Sequence, residues 1–262
     1  MSAGLPAERG RARCDEAPAR LAELLRAAGR TVVLTGAGIS VPSGVPDFRS
    51  PGTGLWTGVD PMEVAHIDAW RRDPDRFWAF YAERFASLGA VEPNAAHAAV
   101  VELERRGVVE AVITQNVDRL HRRAGSERVI EVHGSIEWSV CLGGHERVAL
   151  EEVLARVARS PGAPTCEECR RPLKPDVTLF GEMLPERAID EAFALAAAAE
   201  LMVCIGSSLA VFPVASLPEV TLASGGALAI VTQSETPYDD RAAVRLGGDV
   251  VAELEAVVRA LG

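Results

Sequence analysis

Lysine is almost absent from this 262-residue chain. The 27 basic residues are 26 arginines and the single lysine Lys174, and the only asparagines are Asn94 and Asn116. Arginine codons are rich in G and C, whereas lysine and asparagine codons are rich in A and T, so we interpret the bias first as a property of the genome. A rare residue inside a motif therefore carries more information than it would in a sequence of average composition.

An excess of positive charge is also missing. The formal net charge is −10 at pH 7, whereas a surface that binds nucleic acid normally requires a basic face. We therefore expect no nucleic-acid partner, and the acidic balance suits basic protein partners.

No segment of the sequence is suited to enter a membrane. The longest uncharged run, residues 201–218, contains Gly206 and two prolines, which argue against a membrane span. Residues 1–13 carry charges but no apolar core, so they do not resemble a signal peptide. The five cysteines, an odd number with one CxxC pair, are typical of a reducing compartment. We expect a cytoplasmic protein with no membrane partner.

The chain does contain enough apolar material for a folded core, with 48% hydrophobic and 24% charged residues. Short apolar runs alternate with stretches of helical periodicity. Strands are predicted at residues 31–35, 111–114, 129–132, 201–205 and 227–231, and helices at residues 16–28, 97–106, 185–199, 213–224 and 249–261. The alternation predicts an α/β fold with a Rossmann-like, doubly wound parallel sheet that is covered on both faces.

Two regions interrupt this alternation. Residues 42–92 are rich in glycine, proline and aromatic residues, and residues 136–178 hold three of the five cysteines. We expect these two insertions to pack together as a second, smaller lobe. The predicted organisation is a disordered leader at residues 1–14 and a single domain at residues 15–262, whose large lobe comprises residues 15–41, 93–135 and 179–262.

A glycine turn follows the first predicted strand, in the segment Gly36-Ala37-Gly38. Glycines at such a turn let backbone N–H groups approach a diphosphate. The dinucleotide-binding fingerprint has a third glycine at its sixth position, and here Val41 stands there. A tight turn with no role in phosphate binding therefore remains an alternative at this point.

Five further motifs carry polar or catalytic side chains. They are GVPDFRS at residues 44–50, TQNVDRLH at 114–121, HGS at 133–135, FGE at 180–182 and GSSLAVFPVA at 206–215. Most of them follow a predicted strand. Because ligands of open α/β sheets bind at the carboxyl ends of the strands, we expect these loops to meet at one crevice.

The glycine turn and these motifs together resemble the sirtuin family in order and spacing, from about Leu21 to the C-terminus. The similarity is closest to the compact bacterial type and implies one sirtuin-type catalytic domain. It implies an NAD-dependent enzyme that removes acyl groups, acetyl first, from protein lysine and yields nicotinamide and O-acyl-ADP-ribose. NAD is then the cofactor, and acylated-lysine proteins or peptides are the partners.

The resemblance also implies roles for single residues. His133 is the expected catalytic base, since imidazole has a pKa suited to proton transfer near neutrality, and Asn116 is expected to act beside it. Thr232 stands where relatives often have asparagine. Because threonine can still form a hydrogen bond to a ribose, binding at the adenosine end is expected to survive in weakened form. The residues expected to contact NAD are Gly36, Ala37, Gly38, Ser40, Val41, Asp47, Phe48, Arg49, Gln115, Asn116, Val117, Asp118, His133, Gly206, Ser207, Ser208, Thr232, Asp249 and Val250.

The acyl-lysine peptide is expected between the lobes. The resemblance assigns it to Val177, Thr178, Phe180, Gly181 and Val211. Tyr81 and Arg84 match a Tyr-x-x-Arg pattern that some sirtuins use for succinyl-lysine, and a guanidinium with a phenol can bind a carboxylate. A preference for succinyl or malonyl groups therefore stays open, although the same residues also form one face of a helix. A protein mono-ADP-ribosyltransferase and a non-enzymatic NAD-sensing module stay open as well.

A structural zinc site is implied by the resemblance, but the sequence departs from its pattern. The family uses two CxxC pairs, of which Cys166 and Cys169 form the second. The first pair begins at Cys141, and Gly144 replaces its second cysteine. Because a structural zinc needs four protein ligands, His145 is the candidate for the fourth. The alternative is a metal-free lobe held by packing alone.

Overall fold

The computed structural model describes residues 7–45, 60–160 and 162–262. The described residues form nine strands: β1 (Thr31–Thr35), β2 (Ala111–Thr114), β3 (Val129–Glu131), β4 (Gly134–Val140), β5 (Arg147–Ala149), β6 (Lys174–Val177), β7 (Leu201–Ile205), β8 (Ala227–Val231) and β9 (Val244–Leu246). Six of them make one parallel sheet in the order β3-β2-β1-β7-β8-β9. This is the strand order of the Rossmann fold, as the alternation of strands and helices predicted.

The described helices are α1 (Ala7–Ala27), α2 (Pro61–Val64), α3 (Ile67–Arg72), α4 (Pro74–Ala90), α5 (Ala95–Arg105), α6 (Leu120–Ala124), α7 (Leu150–Arg159), α8 (Glu186–Ala198), α9 (Leu217–Ala223) and α10 (Val250–Ala260). Helix α1 begins at Ala7, so its first turns fall within residues 1–14, the predicted leader. Residues 1–6 lie outside the described residues. None of the helices in the described ranges combines the length and the apolar character needed to cross a bilayer.

The parallel sheet has a hydrophobic core on each face, because successive strand residues point to opposite sides. Along β1, Val33 faces a core formed with α1, α5 and α10, whereas Val32 and Leu34 face a core formed with α8 and α9. All five residues of β1 and all five of β7 are buried. This two-sided burial confirms the doubly wound architecture and explains why these strands are apolar throughout.

Strand β1 is the topological switch point of the sheet, because later strands are added on both sides of it. Strands β2 and β3 lie on one side of it, and β7, β8 and β9 lie on the other. In open α/β sheets the loops diverge at such a switch point and leave a crevice outside the carboxyl ends of the strands. The glycine turn after β1 therefore lies at the place where this fold binds ligands.

The small lobe contains a three-stranded antiparallel sheet in the order β5-β4-β6. Its core joins aromatic side chains of α3 and α4, including Trp70 and Trp78, to Ile136 of β4 and Val153 of α7. The indole N–H of Trp78 donates a hydrogen bond to the Leu173 carbonyl at 2.8 Å. The two insertions thus share one core and form the predicted second lobe. Its individual strands were not predicted, and neither was β9.

Candidate active site

A cavity of about 1000 Å³ lies between the carboxyl edge of the parallel sheet and the small lobe. Its sheet side is lined by residues Gly36, Ala37, Gly38, Gln115, Asn116, Val117, His133, Gly206, Ser207, Ser208 and Thr232. These residues belong to the loops after β1, β2, β3, β7 and β8, so the structure brings together at one crevice the predicted motifs that follow these strands.

Three glycines let the loops after β1 and β7 touch. The Gly38 N–H donates to the Gly206 carbonyl at 2.8 Å, and the Gly36 N–H donates to the Ile205 carbonyl at 3.0 Å. A Cβ on Gly38 would lie 2.7 Å from the Cα of Gly206, and a Cβ on Gly206, whose φ is +61°, would lie 2.3 Å from the Ile39 nitrogen. No larger residue fits these positions, so the close approach explains the glycines independently of any ligand.

Both asparagines of the chain hold this glycine turn in place. The Asn116 side-chain amide donates to the Gly36 carbonyl and to the Ser40 hydroxyl, both at 3.1 Å. The Asn94 amide donates to the Ile39 carbonyl and to the Ser43 hydroxyl, both at 2.9 Å. The sequence motifs include Asn116 but not Asn94, although both belong to the same rare residue type.

A buried polar network continues beneath the turn. The Ser40 hydroxyl donates to an Asp118 carboxylate oxygen at 2.6 Å, and the other oxygen accepts from the Leu120 N–H at 2.9 Å. Burial raises the pKa of Asp118 and the hydrogen bond from Ser40 opposes the rise. Ser40 and Asp118 therefore support the cavity floor from below rather than line it.

Two further histidines belong to this network and are neutral. His121 Nε2 lies 3.0 Å from the Thr35 hydroxyl, and His97 Nδ1 accepts from the Asn94 N–H at 3.3 Å. Burial lowers the pKa of His97 to about 4 and that of His121 to about 3. Their rings meet edge to face with centroids 5.0 Å apart. Both histidines therefore support the residues that form the floor of the cavity.

His133 lies at the cavity in a fixed orientation. Its Nδ1 is 2.9 Å from the Gln115 carbonyl oxygen, which only accepts hydrogen bonds, so Nδ1 carries the proton and Nε2 has the free lone pair. Burial lowers the pKa of His133, which keeps the ring neutral at pH 7. A neutral imidazole with one exposed lone pair is the form that can accept a proton.

The opposite wall of the cavity comes from the small lobe and from the chain that follows β6. Residues 177–182, Val211 and the α4 residues Tyr81 and Arg84 line it. Burial raises the pKa of Tyr81 to about 12, and the charge of Arg84 opposes that rise. The exposed Arg84 guanidinium lies 3.6 Å from the centroid of the Phe80 ring and donates to the Phe80 carbonyl at 2.6 Å.

Three cysteines and one histidine meet in the small lobe. The ligand atoms of Cys141, His145, Cys166 and Cys169 all lie within 4.8 Å of one another. Cys141 Sγ is 3.5 Å from Cys169 Sγ and 3.7 Å from His145 Nδ1. Tetrahedral zinc with Zn–S bonds of about 2.3 Å separates its ligand atoms by about 3.8 Å, so the spacing fits.

The backbone around the cluster also suits a metal. The Gly143 N–H points at Cys141 Sγ at 3.3 Å, and the Cys169 N–H points at Cys166 Sγ at 3.5 Å. A backbone hydrogen bond from Arg171 is the main cause that lowers the pKa of Cys169 to about 6, and a thiolate is the form that binds metal. Gly144 has φ +76°, and this turn brings His145 into the place of the missing cysteine.

The Sir2 family profile matches residues 36–213 of the chain. This chain is a member of the Sir2 family. The sirtuin is 44% identical over 229 residues to the NAD-dependent protein deacetylase of Thermotoga maritima, which covers 87% of this chain and 92% of that protein. It is 42% identical over 246 residues to NAD-dependent protein deacylase 2 of Archaeoglobus fulgidus, covering 92% and 96% of the two chains.

Solved Sir2 structures share the fold of this sirtuin. A Sir2 complex with a p53 peptide and NAD+ has a TM-score of 0.84 at 41% identity, over 91% of this chain and 96% of that chain. A Sir2 bound to a propionylated peptide has the same TM-score, identity and coverage. The fold class expected from the sequence is therefore confirmed.

Not every residue expected to contact NAD reaches the cavity of this sirtuin. Val41 is 46% exposed and lies outside the lining. Asp249 caps α10 by accepting from the Val251 and Ala252 N–H groups, and Val250 packs on the sheet core. Their contact with NAD remains a prediction. Asp47, Phe48 and Arg49 lie outside the described residues.

An apolar wall contributed by α4 was not predicted. Phe77, Phe85 and Leu88 line the cavity together with Tyr81. Their spacing of three or four residues places them on the same helical face as Tyr81. The structure shows that the face serves both the cavity and the core, since Phe77 and Phe85 also belong to the small-lobe core.

Proposed function

We infer that this sirtuin is an NAD-dependent protein-lysine deacylase, with acetyl-lysine as its main substrate. The observation that carries the proposal is the geometry of His133, a neutral imidazole fixed by the Gln115 carbonyl at the edge of a cavity that both lobes line. The names of its relatives, NAD-dependent protein deacetylases and deacylases, support the same activity.

The chain supplies the binding chemistry for NAD from the sheet side. The glycine turn lines the cavity with backbone that carries no bulky side chain, which lets a diphosphate approach closely, and Ser207, Ser208 and Thr232 add hydroxyl groups. NAD supplies the electrophilic ribose carbon, from which nicotinamide leaves. Asn116 is buried and already donates both of its amide hydrogen bonds within the protein, so it fixes the loop on which that carbon is positioned.

His133 is proposed as the general base. With NAD bound, the acyl oxygen of the substrate would form the new bond to the ribose carbon as nicotinamide leaves. His133 Nε2 would then take the proton of a neighbouring ribose hydroxyl, whose oxygen would add to the acyl carbon. Addition of water and cleavage of the bond from that carbon to the lysine nitrogen would give free lysine and O-acyl-ADP-ribose. The orientation of the ring is fixed because Nδ1–H donates to the backbone carbonyl of Gln115. The side-chain amide of Gln115 in turn donates to the Ser207 hydroxyl at 2.8 Å. That hydrogen bond joins the loops after β2 and β7, so it connects the loop that orients the base to the loop of the candidate phosphate-binding residues.

The acylated peptide is proposed to lie along residues 177–181 and Val211 by strand addition. Within the described residues, the N–H groups of Thr178 and Phe180 already donate to His133 and Ala65, and Leu179 N–H donates to Glu182. Pairing with a peptide strand is therefore proposed to begin at Gly181, and the side chains of Val177 and Thr178 contribute to the wall.

A preference for succinyl or malonyl groups remains the second candidate, and one observation favours it. Tyr81 and Arg84 line the same cavity as His133. The contacts of Arg84 are with the Phe80 ring and carbonyl, and no ion pair with a carboxylate is formed within the described residues, so its charge is available to an acidic acyl group. The variant Arg84→Met tests this: the ratio of desuccinylation to deacetylation should fall about tenfold. An unchanged ratio would rule out a role for Arg84 in binding acidic acyl groups.

The activity is tested by incubating the protein with NAD and acetylated or succinylated peptide and identifying products by mass spectrometry. Free lysine with O-acyl-ADP-ribose supports the deacylase. An ADP-ribosylated protein would indicate a transferase, and unchanged NAD bound to the protein would indicate a sensing module. His133→Ala should lower deacylation at least about a thousandfold while the Kd for NAD changes little. Full activity in that variant would refute the role of His133.

A cytoplasmic location is proposed on the thiol chemistry. Cys141, Cys166, Cys169 and Cys204 are free thiols, and the first three belong to the candidate metal cluster. Thiols in that arrangement persist where disulfides do not form. Detection of the native protein in a cytoplasmic rather than an extracellular fraction tests the proposal.

A further inference from the structure

The only lysine of the chain is buried at the junction between the lobes. Lys174 begins β6, is 5% exposed, and forms an ion pair with Glu182 at 2.8 Å. Its ammonium also donates to the carbonyls of Val177 at 2.7 Å and Pro175 at 3.1 Å. The three donors of an ammonium thus have three acceptors around one nitrogen atom.

Glu182 connects this ion pair to the wall of the cavity. The carboxylate oxygen that binds Lys174 also accepts from the Leu179 N–H at 2.9 Å. The Glu182 N–H in turn donates to the Leu179 carbonyl at 3.1 Å. The pair therefore fixes two inward-facing backbone groups, the Val177 carbonyl and the Leu179 N–H, on one edge of the segment 177–182.

The other edge of the same segment is fixed to the catalytic residue and to the small lobe. Thr178 N–H donates to the His133 carbonyl at 2.8 Å. Phe180 N–H donates to the Ala65 carbonyl, and the Phe180 carbonyl accepts from the Ile67 N–H, both at 2.9 Å. The segment is thus held between His133 on one side and the ion pair on the other.

A buried ion pair is weak evidence for stability, because desolvation offsets much of the attraction. Its geometry is also unsuited to arginine, whose planar fork spreads its donors over several atoms. The structure therefore gives a physical reason why one lysine persists in a chain that otherwise uses arginine: three oxygen atoms converge on one point.

We propose that Lys174 and Glu182 are a positioning pair that sets the segment 177–182 against His133 and so determines the binding of the acylated peptide. Lys174 does not line the cavity, and the Glu182 carboxylate oxygen that faces it is held by Lys174 and by the Leu179 N–H, so we assign both as positioning residues rather than catalytic ones. This inference rests on the proposed deacylase function.

The test compares steady-state constants of single and double variants. Lys174→Met and Glu182→Gln should each raise the KM for acetylated peptide about tenfold, while the KM for NAD changes less than about twofold. The double variant should raise the peptide KM no more than the worse single variant, because the two side chains act as one unit. Lys174→Arg keeps the charge and should restore less than half of the lost affinity.

The matched control is Asp176→Asn on the same strand. Asp176 forms an exposed ion pair with Arg147 at 3.3 Å, and its loss should leave the peptide KM unchanged. A purely structural role for Lys174 would lower the active fraction, and hence kcat, without changing the peptide KM. The proposal would be overturned by a lower kcat with an unchanged peptide KM in Lys174→Met. Additive effects on the peptide KM in the double variant, or a wild-type peptide KM in Lys174→Arg, would overturn it as well.

A second measurement does not depend on activity. Acetylation of the folded protein with an N-hydroxysuccinimide ester should modify the N-terminal amine and leave Lys174 unmodified. In a separate experiment, hydrogen exchange in residues 177–183 should be faster in Glu182→Gln than in the wild type, and unchanged in Asp176→Asn. Rapid native modification of Lys174 would overturn the buried pair. If protection holds and the wild type shows no deacylation, the proposed function fails while the pair itself stands.

Discussion

The large lobe holds its loops with buried hydrogen bonds, whereas the small lobe gathers cysteine and histidine around one point. Beneath the glycine turn, asparagine, serine, aspartate and histidine side chains form a buried network of hydrogen bonds. In the small lobe an aromatic core lies beside the cluster of Cys141, His145, Cys166 and Cys169. A large two-sided core can position polar groups by packing, but a small lobe with one thin sheet gains more from a metal cross-link.

The largest effect is expected at the glycine contact between the loops after β1 and β7, which tests whether backbone packing positions the site in the large lobe. In Gly206→Ala the new Cβ would lie 2.3 Å from the Ile39 nitrogen in a residue with φ +61°. We expect kcat/KM to fall at least about a hundredfold and stability to fall by about 2–4 kcal/mol. Steady-state kinetics and urea unfolding measure the two effects.

Gly225→Ala is the matched control. Gly225 also has positive φ, at +89°, but a Cβ added to it would have no described atom within 4 Å beyond its own chain neighbours. Its substitution should cost only about 1 kcal/mol of backbone strain and leave kcat/KM unchanged. Equal losses in both variants would mean that the loop contact has no special role.

The stability of the small lobe should depend on bound zinc. We expect about one zinc per chain in protein purified under reducing conditions, measured by elemental mass spectrometry, and loss of zinc in His145→Ala. All four tryptophans lie in the two insertions, so their fluorescence should report unfolding of the small lobe when a chelator removes the metal.

Leu142→Ala is the control for that experiment, because Leu142 lies in the same loop and is 55% exposed. It should keep its zinc. Absence of zinc from the wild type, or retention in His145→Ala, would contradict His145 as the fourth ligand.

Acid should destabilise the large lobe through its neutral histidines. Burial lowers the pKa of His97 from 6.5 to about 4, so the unfolded state binds more protons below pH 6.5. The free energy of unfolding should therefore be fully present above pH 6.5 and fall as the pH drops towards 4, by on the order of 3 kcal/mol for this residue. Urea unfolding followed by circular dichroism at several pH values measures the slope, which should be shallower in His97→Gln. A slope that does not change would mean that His97 is not the titrating group.

The smallest expected effect concerns Asn94, which caps the start of α5. Its side chain accepts from the Ala96 N–H at 2.8 Å and donates to the glycine-turn loop. Asn94→Ala should cost about 1 kcal/mol through the lost cap and lower kcat/KM a few-fold through the loosened loop. Asn94→Asp keeps the cap but loses the donor, so it should restore stability without restoring activity. If both variants lose only stability, Asn94 does not position the turn.

Sequence reasoning predicted the central strands well because they are buried on both faces and therefore uniformly apolar. It predicted the small lobe only as a change in composition. Strands β5 and β6 are short, and β4, although it has seven residues, is partly exposed with an irregular burial pattern. The site motifs could be placed at the crevice because parallel strands end at a common edge. The ion pair of Lys174 with Glu182 could not be predicted from the sequence, since neither residue type nor spacing shows which oxygen atoms will surround a buried ammonium.

The sequence by itself determined the family, the alternation of strands and helices, the candidate base His133 and the set of four candidate metal-ligating residues. Each of these depends on the order of residues along the chain. Only the tertiary structure decided that both asparagines hold one turn, that Asp249 serves as a helix cap, and that the single lysine is buried under the cavity wall. Those properties depend on which surfaces meet, and a fold brings together atoms that are remote in the chain.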